Sequence, residues 1–311
     1  MPYKDFFLGV AVISAVFIAV AINSFIGVLG AVFVPVPILY YYSKLSRLHG
    51  FLAFILSLVI TTIILRVLDL QNGVVYFFLV GSLGLILSEI LRRNYSIEKT
   101  VIYSAGIFLA LGSIVLLYLS LISGKAPWGM IESRVAAMVQ ENIDLYSRTG
   151  VSTQYIEIIK ENSGQITRVL TGLLPSFILV GTAFFTWLNI LAGKWLFSNR
   201  GMWYPDFGDL SCWKILDKVI WLVVIAGALV LIPSEAFRIL GLNMMIVLLF
   251  IYTLQGLAII SFFFKKKNVP PVFRVVGYFL IFAQQFLIFI VAGLGLIDTW
   301  ADFRKRKKSP D

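Results

Sequence analysis

Long apolar runs alternate along this chain with short polar stretches that are rich in lysine and arginine. A bilayer's hydrocarbon core is about 30 Å thick, and a helix rising 1.5 Å per residue needs roughly 20 apolar residues to cross it. Nine runs approach that length, at about 5–22, 26–42, 51–68, 73–91, 100–122, 169–193, 215–233, 239–264 and 275–298. The pattern predicts an all-α fold, a polytopic transmembrane helical bundle of eight or nine membrane helices. The two counts differ over 5–42, where Asn23, Ser24, Gly27, Gly30, Pro35 and Pro37 interrupt the run. Two crossings satisfy this region, and so does one crossing followed by a re-entrant helix. Irregular backbone at membrane depth is tolerated only where protein or a water-filled cavity pairs it.

One polar stretch is long enough to have structure of its own. Within 123–168, Pro127 suits a helix start, and Ile131, Val135, Met138, Ile143 and Tyr146 recur at near-helical spacing. Thr149-Gly150 reads as a stop and Ser152 as an N-cap. Tyr155, Ile158 and Ile159 mark a second short helix, which Asn162-Ser163-Gly164 ends. The stretch is read as an amphipathic hairpin, either lying passively on the membrane or covering a binding site. Three regions follow: N-terminal membrane helices at 1–122, the extramembrane loop at 123–168, and C-terminal membrane helices with a basic tail at 169–311.

Composition agrees with the pattern. Of 311 residues, 59% are hydrophobic and 14% charged, and the mean hydropathy is +0.93. That is too little charge to cover a soluble domain. The net charge of +10 does not point to nucleic acid, because the cations lie in loops beside apolar runs. Loops after the second, fourth, sixth and eighth runs hold 13 lysines and arginines, and the opposite loops hold 7. Five of those seven share the 123–168 loop with five acids. The positive-inside rule then places the first set and the N-terminus in the cytoplasm. With nine crossings, however, the basic tail at 304–308 would fall on the wrong side. The first apolar run leads straight into the second and is read as a retained span, not a cleaved signal.

Buried polar groups in a membrane need partners and often line a pathway. Asn243 and Gln255 on the eighth run and Gln284 near the middle of the ninth are candidates for one interhelical amide network or for small-molecule contacts. Glu89, three and four residues from Arg92 and Arg93, is expected to pair locally, as is Arg66 with Asp69. Asn189 is a further polar residue inside a run. Ala11, Ala15 and Ala19 recur every four residues. Such a small-residue stripe is either an intramolecular packing seam or a docking face for another membrane subunit. The last run ends in Gly295-Leu296-Ile297-Asp298-Thr299-Trp300-Ala301-Asp302-Phe303-Arg304. A spacing of four puts Asp298 and Asp302 on one helical face, where Arg304 and the following cations, or Lys265–Lys267, would neutralise them. Trp300 would sit at the headgroups. With one histidine (His49), one cysteine (Cys212) and no nucleotide or zinc-protease motif, the sequence gives no metal site, no cofactor and no enzyme.

These residues carry a resemblance. The 295–304 run is similar to the terminal signature of the YybS-like family of bacterial polytopic membrane proteins. So are Leu254-Gln255-Gly256-Leu257-Ala258 with Asn243 upstream, Leu173-Leu174-Pro175, Pro35-Val36-Pro37, and the aromatic loop ending in Phe207 and Trp213. Leu216 before Asp217 departs from the pattern, which has proline there. The resemblance implies a multi-pass protein of the bacterial cytoplasmic (inner) membrane. The N-terminal half is also distantly similar to the substrate-binding S components of energy-coupling-factor transporters and to the cell-shape protein MreD. The S-component likeness implies small-molecule binding or uptake, with Asn243, Gln255 and Gln284 as contacts and Ala11, Ala15 and Ala19 docking a coupling subunit. The MreD likeness implies a non-transporting scaffold in envelope biogenesis. The implied partners are the lipid bilayer, another membrane subunit and a small-molecule ligand, without nucleic acid.

Overall fold

The computed structural model describes residues 2–22, 30–70, 73–148 and 153–304, and within them every regular element is helical. In chain order these are α1 (Pro2–Ile22), α2 (Pro35–Lys44), α3 (Arg47–Val67), α4 (Val74–Leu91), α5 (Ile97–Ser123), α6 (Pro127–Arg148), α7 (Thr153–Glu161), α8 (Ser163–Asn199), α9 (Ile220–Leu231), α10 (Glu235–Lys266), α11 (Pro271–Ala283) and α12 (Gln285–Ala301). Two 3-10 turns, Leu210–Cys212 and Asp217–Val219, precede α9. The all-α membrane bundle stands, with a lower count of full-length helices than eight or nine. Six helices are long and apolar enough to cross: α1, α3, α4, α5, α8 and α10. Among the described residues, three runs do not give one long helix. The 26–42 run contributes the ten-residue α2, because Pro35 and Pro37 suit a helix start and not its interior. The 215–233 run yields the twelve-residue α9, and the 275–298 run is broken at Gln284 by a 106° bend. Asn23, Ser24 and Gly27, which marked the first break, lie outside the described residues, as do Thr149, Gly150 and Ser152.

The chain gathers into two compact units. One comprises Met1–Gly124 with Gly181–Phe207, and the other Lys125–Val180 with Gly208–Asp311. Helix α8 contributes residues to both units. Helix α7 ends at Glu161, just before Asn162-Ser163-Gly164, and α8 starts earlier than its apolar run, at Ser163.

In the first unit, Ile13, Phe17, Val34, Ile38, Tyr41, Phe54, Leu58, Leu65 and Phe77 make the core. Phe17 packs on Phe77 with ring centroids 4.9 Å apart. One end of this unit is charged. Lys44 pairs with Asp5 at 2.8 Å and Arg47 with Glu89 at 3.0 Å, while the Tyr42 hydroxyl donates to Glu89 at 2.8 Å. The expected local pairing of Glu89 is replaced by these contacts because Tyr42 and Arg47 arrive from other elements. Arg92 lies over the Tyr42 ring instead, 5.5 Å from its centroid. At the Arg66–Asp69 turn, Asp69 adopts φ 53° and its backbone N–H donates to the Arg66 carbonyl. The described contact there is a backbone turn, not the expected ion pair.

In the second unit, α10 and α12 cross in backbone contact. A Cβ on Gly256 would run into the Val291 carbonyl, and one on Gly295 into the Tyr252 carbonyl, so only glycine permits this approach. The direction of the chain follows from its contacts. Phe264, near the end of α10, meets Tyr278 edge to face with ring centroids 5.7 Å apart, while Leu257, farther back, clusters with Ile281. Thus α11 runs antiparallel to α10. After the bend, Ala292 clusters with Leu248 and Tyr252, Asp298 bonds to Gln255, and Phe303 lines a groove with Phe263 and Phe264. Thus α12 runs with α10. Helices α11 and α12 therefore double back at Gln284, and the pair begins and ends at the Lys265–Lys267 end of α10.

This geometry predicts the labelling pattern of single cysteines in a Cys212→Ser background. Lys266→Cys and a cysteine appended after Asp311 react with an impermeant maleimide from the same side of the membrane, and Ser234→Cys from the opposite side. Reaction of the first two from opposite sides would show that α11–α12 is a broken span.

Candidate functional site

One polar network of the second unit converges on Asp298. Helix α12 ends at Ala301, and Asp302 takes the left-handed conformation (φ 39°), its N–H reaching the Asp298 carbonyl at 3.2 Å. Aspartate tolerates this conformation better than most residues. The reversal brings the next two residues back onto the Asp298 carboxylate. The Phe303 N–H donates to Oδ1 at 2.9 Å and Arg304 Nη2 to Oδ2 at 2.6 Å. Gln255 Nε2 also donates to Oδ2, at 3.1 Å. Asp298 and Gln255 are 0% exposed, and Arg304 is 8% exposed. The outer atoms continue the network: Arg304 Nη1 donates to the carbonyls of Trp213 (2.6 Å) and Ser211 (3.3 Å), and the Ile215 N–H donates to Gln255 Oε1 at 3.3 Å.

Gln255 stands ten residues before Lys265, about 15 Å along the helix. At that depth a lone carboxylate or guanidinium is costly. Here each neutralises the other, and both carboxylate oxygens accept hydrogen bonds, the condition under which a buried pair is tolerated. The same contacts fix the stretch 208–216, which has no α-helix, against α10 and α12. Its outer end is tied by Lys265, which pairs with Asp209. Hydrogen bonds from Lys265, then from Ser211, hold the Asp209 carboxyl down at about 2, against the opposing effect of burial.

The other singled-out residues lie elsewhere. Asn243 serves the proline in α8. Its Nδ2 donates to the carbonyls of Gly172 (2.9 Å) and Ile239 (2.8 Å), and its Oδ1 accepts from the Ser176 N–H at 3.0 Å. Gly172 and Ser176 are the two ends of the helical step that straddles Pro175, so the side-chain amide stands in as a peptide group where proline disturbs the ladder. Gln284 is exposed at the bend between α11 and α12. The single amide network expected of Asn243, Gln255 and Gln284 is therefore two separate networks and an exposed tip, because the amides sit at different levels of the bundle. Asp302 is exposed and turns the chain, so it does not share a face with Asp298. Trp300 is 69% exposed and Gly295 lies in the α10–α12 crossing.

In the first unit, Ala11, Ala15 and Ala19 all face outward, while Val10, Ile13, Ser14 and Phe17 of the same helix are buried. The stripe is not an internal seam. Asn189, 0% exposed, bonds through Nδ2 to the Val32 and Phe185 carbonyls at 2.8 Å each. Its Oδ1 and the Thr186 hydroxyl, one helical turn away, are buried without a protein partner. In the sequence Asn189 is simply one more polar residue inside an apolar run. Nothing in the spacing showed that it serves the carbonyl of Val32, beside the break before α2.

Two measurements test the networks. Arg304→Gln leaves Asp298 buried without a counter-charge and lowers stability by about 3–5 kcal/mol, read as a drop in melting temperature in detergent. The Asp298→Asn/Arg304→Gln double variant recovers most of that loss. Asn243→Leu withdraws partners from Gly172 and Ser176 and costs about 1–3 kcal/mol for each group left bare. Asp209 adds a pH dependence. Its folded value lies below the ordinary aspartate value of about 3.9. Its pair with Lys265 therefore stabilises the fold above about pH 4, and that contribution disappears as the pH falls towards 2. An acid titration of melting temperature loses this step in Asp209→Asn.

A family model described as "Predicted membrane protein (DUF2232)" matches residues 11–299, and the chain belongs to that family. It is 22% identical over 312 residues to a protein of Bacillus subtilis (strain 168) named "Uncharacterized protein YybS", covering 96% of this chain and 97% of that one. No solved structure matches.

Proposed function

We propose that this member of the family is a non-catalytic subunit of a larger assembly in the bacterial cytoplasmic membrane, docked to a partner helix through the outer face of α1. The observation that carries the reading is the outward stripe of Ala11, Ala15 and Ala19. Small residues at four-residue spacing let a second helix approach its backbone closely, and packing is the main source of helix association in lipid. The likeness of the N-terminal half to S components, whose first helix docks a coupling subunit, supports it. A non-catalytic role is supported by the saturation of Asp298, whose oxygens are filled by Arg304, Gln255 and the Phe303 N–H. The charged ends of the two units each supply cations: Lys44, Arg47 and Arg92 in one, Lys265–Lys267 in the other. By the positive-inside rule such an end faces the cytoplasm. A re-entrant α11–α12 pair returns Arg304 to the Lys265–Lys267 end of α10, without the ninth crossing that the positive-inside rule disfavours.

Within this reading, scaffold and uptake subunit differ in whether a ligand is bound. Asn243 and Gln255, the amides first considered for ligand contact, have their oxygens and nitrogens committed to protein partners, which favours the MreD-like scaffold. Small-molecule binding is favoured by one different observation: the buried Asn189 Oδ1 and Thr186 hydroxyl, which lack protein partners. These oxygens suit a water or a small polar ligand.

The test is photocrosslinking from position 15 in living cells. The expected product joins this chain to another integral membrane protein and disappears in Ala11→Leu/Ala19→Leu. Crosslinks to lipid alone overturn the docking face. An ATPase-coupled membrane subunit in the product identifies the uptake role, and a cell-wall or division protein identifies the scaffold.

A further inference from the structure

A groove of about 330 Å³ runs along the second unit, lined by Ile259, Ile260, Phe263 and Phe264 of α10, Leu294 of α12 and Phe303. Every lining residue is apolar. The α10 residues follow the spacing i, i+1, i+4, i+5, which marks one helical face, and the next position on that face is Lys267. Lys267 is exposed, as is Lys266, whose ammonium stands 6.0 Å from the Phe262 ring. Lys265, by contrast, is engaged by Asp209. The groove therefore opens along a helix face that ends in cationic groups. Its far wall is fixed by the buried network, since the Phe303 N–H is held by Asp298. Immediately after Phe303 and Arg304 the sequence reads Lys305-Arg306-Lys307-Lys308.

We propose that this groove binds an anionic glycerophospholipid, one acyl chain lying along Phe263, Ile260 and Leu294 and the headgroup phosphate meeting Lys267 and Lys266. An apolar slot alone accepts any acyl chain. The selectivity comes from the cations at its mouth, each worth about 1 kcal/mol towards an anionic headgroup. Basic pockets between membrane helices at a cytoplasmic face recognise lipid headgroups by the same chemistry. The site is independent of α1 and of any partner, so it stands or falls apart from the docking reading.

The experiment uses the purified full-length protein, stripped of lipid in mild detergent. Native mass spectrometry then follows the titration with phosphatidylglycerol, with phosphatidylcholine of the same chains, and with glycerol 3-phosphate. One phosphatidylglycerol is retained at concentrations where phosphatidylcholine and glycerol 3-phosphate are not. Lys266→Gln/Lys267→Gln weakens that retention by about 30-fold. Ile260→Trp and, separately, Leu294→Phe fill the groove and abolish it, and the melting temperature in lipid-free detergent shows which variants remain folded. Equal retention of the two phospholipids overturns the proposal. So does glycerol 3-phosphate binding as tightly as the lipid, or retention unchanged in a folded groove-filling variant.

Discussion

A backbone amide in hydrocarbon has no water to bond with, and every departure from helix inside the membrane must be paired by the protein itself. This constraint explains where the buried polar side chains of the chain go. Asn243 bridges Gly172 and Ser176 around Pro175. Asn189 takes the Val32 carbonyl beside the break before α2. Gln255 accepts from the Ile215 N–H, and Arg304 donates to the Ser211 and Trp213 carbonyls. The side chains that first suggest a ligand pathway act mainly as substitutes for missing main-chain partners.

The Asp298–Arg304 pair extends the same logic to charge. An arginine reaches two carbonyls at once and presents its remaining nitrogens to a carboxylate, which a lysine's point charge does less well. Bringing that arginine to mid-membrane requires a counter-ion, and Asp298 supplies it at 2.6 Å. The pair thus joins three separate stretches of the second unit: 208–216, α10 and the turn after α12. It also places Phe303 along the apolar groove.

Much of the fold was legible in the hydrophobic pattern. The runs at 51–68, 73–91 and 100–122 correspond to α3, α4 and α5, since an unbroken apolar window with polar flanks permits little else. The prolines at 35 and 37 announced the short α2. The polar pairings were less legible. Arg304 does neutralise Asp298, as its place after the helix suggests, but the left-handed turn at Asp302 that delivers it also takes Asp302 off the face that helical spacing gave it. Spacing likewise offered Arg92 and Arg93 to Glu89, while Tyr42 and Arg47 reach it from other elements. One-dimensional patterns encode which side of a helix is apolar. They do not encode which neighbouring element comes within 3 Å, and these pairings depend on that. Gln284 shows the limit most clearly, since its position in the middle of an apolar run suggested burial and a sharp bend exposes it.

The partners in the Asp298 network also enter the membrane at different times. Trp213 and Ser211 precede Arg304 by 91 and 93 residues. When the 208–216 stretch leaves the ribosome, the arginine that will pair its carbonyls has not been made, and neither has α12. Lys265 and Gln255 are made earlier and already hold Asp209 and Ile215, so the arginine is the last tie to form. A chain that stops before Arg304 leaves the Ser211 and Trp213 carbonyls and the Asp298 carboxylate without the guanidinium.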